Sequence, residues 1–535
     1  MDERLGWRRV AGWTIAFCLH RTMVLWFGFN GAFYWEETYR LLMAEALSQH
    51  WQWPLLDVQA DPYAGGSLVF AALAAPFVAL LGPSLMGLKM MAILWSALGF
   101  VAWTTLVDRY FGLWPAFVFA FLFVFGPPLF IVYNLIAMGS HAEVMTLAGI
   151  QIWLAYRYLY DETHSRAGLF LWAAVAGVGT WFTYTAALPF AACLLIALVA
   201  GVLPPRQWPV PAAGFLLGFA PWIVTNVANG AQGLDVLTRT FGLDGSAAAA
   251  GSATYVQTVR YLVTKGIPLG LRFPELTITL PGEDHVRPLV LGQAYCVLAA
   301  LGAIALAVAR LLRTGVGFRV RRLAATCPEA PLLVMFPLFV LVLGATDHIF
   351  LVIDRVPFFA FRLMVPFLPA LMAVIAIAVG RLPTWPRAAL LILLGCLGGA
   401  GTFQVLAAGA SERPRLSADA RALGAEAAGH LLYYKHGADL PRLTERIDAM
   451  PEELRSAAFQ GVGFSVAAHY PATEPVAGFV TQLRDVPAAY RSDAVGGARL
   501  ALGPGMAQVL PRTPSAQTDA LRAALDDLDP PKPGQ

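Results

Sequence analysis

The residues best suited to chemistry form an acidic pair, Glu36-Glu37, directly after the first hydrophobic segment of the chain. Aromatic residues precede the pair, and Arg40 follows it. Charged groups beside an aromatic belt at a membrane surface are costly to desolvate, and they are often functional. The position of the pair therefore suggests a carboxylate that acts at the non-cytoplasmic face, on a substrate that the lipid delivers.

A purely structural interpretation of the same residues stays open. Residues 34–49 have the spacing of a helix with one apolar face, lying at the membrane surface. Glu36 and Glu37 stand at i,i+4 and i,i+3 from Arg40, and the helix dipole favours acidic groups in a first turn. On this view the pair is a solvated turn that begins a helix.

The composition requires a helical membrane protein. Of 535 residues, 58% are hydrophobic and 13% are charged, and the mean hydropathy is +0.61. The apolar residues come in blocks of about 20, which is the length of a helix that spans a bilayer. The net charge of +3 is too small to indicate nucleic acid, and the five cysteines lack the spacing of a zinc site or disulfide framework. The chain is thus predicted to be all-α and polytopic.

The arrangement of arginines orients the predicted crossings. Residues 67–81 are apolar but too short to span, so they are predicted to be interfacial or re-entrant. Counting them as a crossing would move the 310–322 arginine cluster outside, against the positive-inside rule. With a cytoplasmic N-terminus and an uncleaved signal anchor, eleven crossings are predicted, at residues 10–30, 85–107, 113–132, 141–160, 167–184, 187–203, 209–228, 289–311, 331–350, 361–380 and 386–409.

This layout predicts two domains. Residues 1–409 form the transmembrane domain, with outside loops at 31–84 and 229–288, and residues 410–535 form an extracytoplasmic helical tail with a disordered end. Within the tail, the segment 451–461 recurs as 487–497. The offset of 36 residues suits stacked helix pairs of a short solenoid, although two copies in an alanine-rich segment also arise by chance.

The order of motifs after the acidic pair supplies a family resemblance. The helix is followed by Trp51-Gln52-Trp53-Pro54, by Asp61-Pro62-Tyr63 and by a short apolar helix that ends at Gly82. This order resembles the first outside loop of the C-type (GT-C) membrane glycosyltransferases. The likeness is greatest to glycosyltransferase family 39, the dolichyl-phosphate-mannose protein mannosyltransferase type, and its bacterial relatives. It extends over roughly residues 10–405, but its specific part is 31–84.

Two later segments resemble the same family more weakly, and two positions depart from it. His141 and Glu143 lie where the family often has a second acidic residue, and Arg362 opens a span as in the family's Arg-aromatic-Leu-Leu-x-Pro segment. The family's leading Asp is Glu36 here, and its Glu-Lys-Pro-Pro is replaced by residues 64–67.

The resemblance implies an inverting transfer of a sugar from a polyprenyl-phosphate donor to an acceptor at the extracytoplasmic face. A carboxylate would take the proton from the acceptor hydroxyl, and a cation would hold the departing phosphate. Glu36 is the expected base, with Glu37 as helper or metal ligand. Residues expected around the substrate or lipid phosphate are Arg362, Arg40, Asp61, Tyr63, His141 and Glu143. No cofactor is certain, although a divalent metal is possible at these carboxylates.

Two other functions stay open. One is an inactive scaffold that keeps the transferase fold and binds protein partners through residues 410–535. The other is a transporter, which would place charged groups at the midplane rather than at one face. The arginine-rich, lysine-poor composition is typical of a GC-rich bacterial genome, so the bacterial inner (plasma) membrane is the expected location.

Overall fold

The computed structural model is almost entirely helical in the part of the chain that it describes. The described residues are 5–28, 35–51, 53, 65–137, 139, 142–161, 164–228, 231, 233–234, 238, 255–266, 277–278, 287–288, 302, 327–345, 365–416, 420–437, 439–470, 474–503 and 515–528. Within them the strands are β1 (Thr277–Ile278) and β2 (Arg287–Pro288), which pair antiparallel. A helical architecture is confirmed.

The chain divides into two compact units. Unit 1 comprises Met1–Asn30, Asp61–Ser67 and Lys89–Arg413, and unit 2 comprises Gly31–Ala60, Leu68–Leu88 and Pro414–Gln535. Much of the first predicted outside loop thus lies in the same unit as the tail.

The helices are named in chain order. Those up to the tail are α1 (Gly6–Phe27), α2 (Trp35–Ser48), α3 (Gly66–Leu81), α4 (Leu85–Phe111), α5 (Leu113–Val124), α6 (Pro128–Tyr133), α7 (Ala142–Tyr160), α8 (Arg166–Phe182), α9 (Ala187–Ala200), α10 (Pro209–Ala228), α11 (Tyr255–Tyr261), α12 (Ala330–Gly344), α13 (Leu368–Gly380) and α14 (Thr384–Leu416). Those of the tail are α15 (Ala420–His436), α16 (Leu440–Asp448), α17 (Glu452–His469), α18 (Val476–Arg484), α19 (Arg491–Ala501) and α20 (Ser515–Leu528).

Several helices are candidates for membrane spans. Among the described residues, four helical stretches are long and apolar enough to cross a membrane: Gly6–Phe27, Leu85–Phe111, Pro205–Ala228 and Thr384–Ala407. Shorter apolar helices accompany them. Helices overlap every predicted crossing except 289–311, which lies outside the described residues apart from Gly302. The count of eleven stays a prediction.

One end of unit 1 gathers the predicted cytoplasmic segments. The backbone N–H of Leu5 donates to Asp108 Oδ1 at 2.5 Å, and Arg109 pairs with Asp161 at 2.7 Å. These contacts join the start of α1 to the ends of α4 and α7. The arginines at this end, called the Arg-rich end below, are Arg8, Arg9, Arg109, Arg157, Arg166, Arg206, Arg381 and Arg387. This clustering is what the positive-inside rule requires of one membrane face.

The opposite end of unit 1, called the polar end below, contains the connection between α6 and α7. Gly66 lies against the backbone of Gly139 at this end, and Lys89 Nζ donates to Leu135 O at 3.4 Å. Gly66 and Lys89 therefore lie at the same end of unit 1. The interfacial or re-entrant interpretation of 67–81 stays a prediction.

Helices and contacts in the tail of unit 2 repeat with the 36-residue offset that the sequence shows. Helices α16 and α18 begin and end 36 residues apart, at Leu440 and Val476 and at Asp448 and Arg484. The arginine that comes after each of these helices also makes equivalent contacts. Arg455 donates to the carbonyl oxygens five and seven residues before it, and Arg491 does the same. Each guanidinium thus caps the C-terminal end of the preceding helix.

Glycines bring the tail helices into backbone contact. A Cβ placed on Gly461 of α17 would lie 1.8 Å from the carbonyl oxygen of Glu426 on α15. A Cβ on Gly497 of α19 would lie 1.9 Å from the oxygen of Gln460 on α17. Because Gly461 and Gly497 are repeat equivalents, the same close approach joins successive layers of the stack.

We expect Gly497→Ala to destabilise the tail by about 1–3 kcal/mol, since the new methyl group must push two helix backbones apart. The adjacent Gly496 is the matched control, because a Cβ there meets nothing within 4 Å. Gly496→Ala should be neutral or stabilising by up to about 1 kcal/mol. Thermal unfolding of the full-length variants measures the difference, and equal melting temperatures would show that the helices are not in backbone contact.

Candidate functional site

The acidic pair opens helix α2 in unit 2. The backbone of Glu36 is described, but its side chain lies outside the described atoms. Glu37 is fully buried and Arg40 is 2% exposed. Residues 37–46 are in fact all buried, so the predicted surface helix with a solvated polar face is wrong for these residues. Buried charges of this kind are costly unless they are paired, which favours a specific role over a solvated turn.

Helix α15 of the tail covers part of α2. A Cβ on Gly424 would lie 2.5 Å from Thr38 O, so glycine is required for this close packing. Arg421 then reaches the fully buried carboxylate of Glu45, with Nη2–Oε1 at 2.6 Å and Nε–Oε2 at 3.1 Å. This hydrogen bonding raises the pKa of Arg421 above its usual value. A bidentate ion pair thus holds the helix that carries the acidic pair.

Unit 1 buries a second set of polar groups at its polar end. Lys89, Asn134 and Glu143 are each at most 1% exposed. Lys89 Nζ donates to Leu135 O at 3.4 Å, and Trp95 Nε1 donates to the backbone oxygen of Glu143 at 2.8 Å. A cation and a carboxylate are therefore held at the same end of a helical bundle, around the connection between α6 and α7. We call Lys89, Asn134 and Glu143 the polar-end cluster.

Sequence reasoning identified Glu143 but missed Lys89 and Asn134 as site candidates. The available signal was a lysine in the first turns of an otherwise apolar spanning helix, which is a functional-site hypothesis by default. Asn134 carries a further signal in the structure, because among the described residues its side-chain oxygen accepts no hydrogen bond.

Glycines make the polar end compact. A Cβ on Gly65 would lie 1.9 Å from the ring of Trp181, and one on Gly66 would lie 1.7 Å from Gly139 O. Gly139 itself has φ +73°, a backbone conformation that favours glycine. A side chain at residue 65 or 66 would therefore collide with Trp181 or with the backbone of Gly139.

His20 and Arg21 of α1 have structural partners inside unit 1. Arg21 is fully buried, and its Nη1 and Nη2 donate to Val124 O and Phe123 O, each at 2.9 Å. These carbonyls end α5, where no further helical turn satisfies them. Nη1 also donates to His20 Nδ1 at 2.6 Å. Arg21 therefore stabilises a helix end within the bundle.

Other predicted site residues lie outside the described residues. They are Asp61, Tyr63, His141 and Arg362. The expected opposition of Glu36 and Arg362 accordingly stays a prediction. Within the described residues, no group of three or more His, Cys, Asp or Glu side chains could hold a metal ion.

Comparison with known proteins gives distant structural similarities. No family model matches the chain, and no curated protein matches it. The chain is similar to the crystal structure of ArnT from Cupriavidus metallidurans bound to undecaprenyl phosphate, at 13% identity and a TM-score of 0.45, over 92% of this chain and 76% of that one.

Two archaeal structures from Archaeoglobus fulgidus are similar at the same level. One is the oligosaccharyltransferase AglB in complex with an inhibitory peptide and a dolichol-phosphate, at 13% identity and a TM-score of 0.42. The other is the oligosaccharyltransferase in the apo form, at 14% identity and a TM-score of 0.44. Each similarity extends over 83% of this chain and 60% of the archaeal chain.

Proposed function

We propose that the chain is an integral membrane glycosyltransferase that moves a sugar from a polyprenyl-phosphate donor to an acceptor at the extracytoplasmic face. The observation that carries the proposal is the burial of Lys89 and Glu143 together at the polar end of unit 1, opposite the Arg-rich end. A protein that only crosses the membrane has no need of a buried ammonium group and a buried carboxylate there.

The chemistry needs a base, a cation and an oriented acceptor. Glu36 takes the proton of the acceptor hydroxyl as the hydroxyl attacks the anomeric carbon, and the bond from that carbon to the phosphate oxygen breaks with inversion. The departing polyprenyl phosphate gains negative charge, which a cation must stabilise. Arg362 and Arg40 are the candidates from the sequence, and Lys89 is the buried cation that unit 1 adds. Glu37 assists the base, and Glu143 with His141 orients the acceptor.

Binding of polyprenyl phosphate to the purified full-length protein tests this proposal. Polyprenyl phosphate is the common product of all such donors, so the assay does not require the sugar to be known. Lys89→Gln should weaken binding by about 10- to 100-fold, because a hydrogen bond to a charged group is worth roughly 1.5–3 kcal/mol. The control is Lys435→Gln, which makes the same substitution at a lysine of the tail helix α15. Gel filtration and thermal unfolding show whether each variant is folded.

The same experiment separates the transferase from the scaffold. The scaffold hypothesis is favoured by the stacked layers of the tail, since repeat arrays commonly present extended binding surfaces. A scaffold that has lost the reaction has no reason to bind the lipid phosphate. If wild-type protein binds polyprenyl phosphate no better than it binds a neutral polyprenol, the transferase proposal fails and the scaffold is favoured.

A further inference from the structure

A groove opens at the Arg-rich end of unit 1, between the start of α1 and the start of α5. Its volume is about 710 Å³, within the range of small-molecule sites. Residues that line it include Arg9, Gly12, Trp13, Leu113, Trp114 and Phe117. The groove therefore combines an apolar, aromatic wall with a cationic side chain.

The aromatic wall is ordered by ring contacts. The rings of Trp13 and Phe117 meet edge to face, with centroids 5.4 Å apart, and those of Trp114 and Phe117 are 6.0 Å apart. The guanidinium of Arg387 lies 3.7 Å from the centroid of the Trp114 ring. This cation–π contact fixes a positive charge against the wall.

Arg9 is available to a ligand. It is exposed, and it forms no ion pair with other residues that the structure describes. The nearby carboxylate of Asp108 already accepts the backbone N–H of Leu5, and Arg109 is paired with Asp161. Arg8, next to Arg9 in the sequence, is also exposed and adds a second positive charge at this end of unit 1.

We propose that this groove binds an anionic phospholipid from the leaflet that meets the Arg-rich end. Arg9 binds the phosphate of the headgroup, and the acyl chains lie along Trp13, Trp114 and Phe117. Basic pockets between membrane helices select acidic headgroups in this way, and aromatic side chains anchor at the same depth. The site is at the opposite end of unit 1 from the polar-end cluster, so it does not depend on the proposed transferase function.

Native mass spectrometry of the full-length protein in neutral detergent tests the proposal, with phosphatidylglycerol and phosphatidylcholine of identical acyl chains as probes. Wild-type protein should retain phosphatidylglycerol in preference. Arg9→Gln should reduce that affinity about fivefold, which corresponds to about 1 kcal/mol for one cation near the surface. Gly12→Leu should reduce it at least as much, because a Cβ at Gly12 meets nothing within 4 Å and a larger side chain would fill the groove.

Arg206→Gln is the matched control, since Arg206 is an exposed arginine at the same end but outside the groove. It should leave the affinity unchanged. Equal binding of the two lipids to wild type would overturn the proposal. So would an equal loss in Arg206→Gln and Arg9→Gln, which would indicate a diffuse surface charge. Displacement of phosphatidylglycerol by equimolar polyprenyl phosphate would also overturn it, by identifying the carrier lipid as the occupant. Melting temperatures without added lipid show that the variants are folded.

Discussion

Glu36→Gln is expected to abolish sugar transfer while the protein remains folded. Glutamine has the size of glutamate and keeps its hydrogen-bonding reach, but it cannot take a proton from the acceptor hydroxyl. Loss of a general base lowers a rate by about 10²- to 10⁴-fold. The measurement is release of polyprenyl phosphate from a panel of polyprenyl-phosphate sugars by purified full-length protein.

The control for this experiment is Glu452→Gln, the same change at an exposed position in the first turn of α17. It should retain wild-type activity. Glu37→Gln should differ from both, since Glu37 is fully buried and its replacement should lower the melting temperature as well as the rate. Full activity of Glu36→Gln would refute the assignment of the base, even if polyprenyl phosphate still binds.

The parts of this fold that sequence predicts are those with a local cause. Spanning helices follow from apolar blocks of a length that the bilayer fixes, and helices overlap each predicted crossing that is described. The predicted repeat of 451–461 as 487–497 has the same 36-residue offset as helices α16 and α18, which precede its two copies.

Features that depend on distant parts of the chain were beyond prediction. An amphipathic pattern predicted α2 to have a solvent-exposed face. In the structure, the tail helix α15, hundreds of residues later in the chain, covers part of α2. Glu45 and Arg421 are 376 positions apart, and neither carries a motif. Lys89 shows the same limit, because its hydrogen bond to Leu135 O joins residues 46 positions apart. Such pairings are determined by tertiary packing alone.

The contact between Arg421 and Glu45 leads to the second large effect. Arg421→Glu places a second carboxylate against the fully buried Glu45, so an attraction becomes a repulsion. Loss of one partner of a buried pair costs about 3–5 kcal/mol. We expect the lower end of this range, about 3 kcal/mol, because the Arg421 side chain is 30% exposed. Hydrogen exchange of the peptide 35–48 in the full-length protein should rise sharply.

Reversal of the pair distinguishes a specific ion pair from general damage to the tail. Glu45→Arg combined with Arg421→Glu restores opposite charges at the contact, so exchange in α2 should fall back toward the wild-type rate. Arg484→Glu makes the same charge change at an exposed site on α18 and should leave α2 unaffected. If the double variant exchanges as fast as Arg421→Glu, the contact is not what holds α2. If exchange in α2 recovers in the double variant, sugar transfer should recover as well, because the tail again holds the helix that carries Glu36.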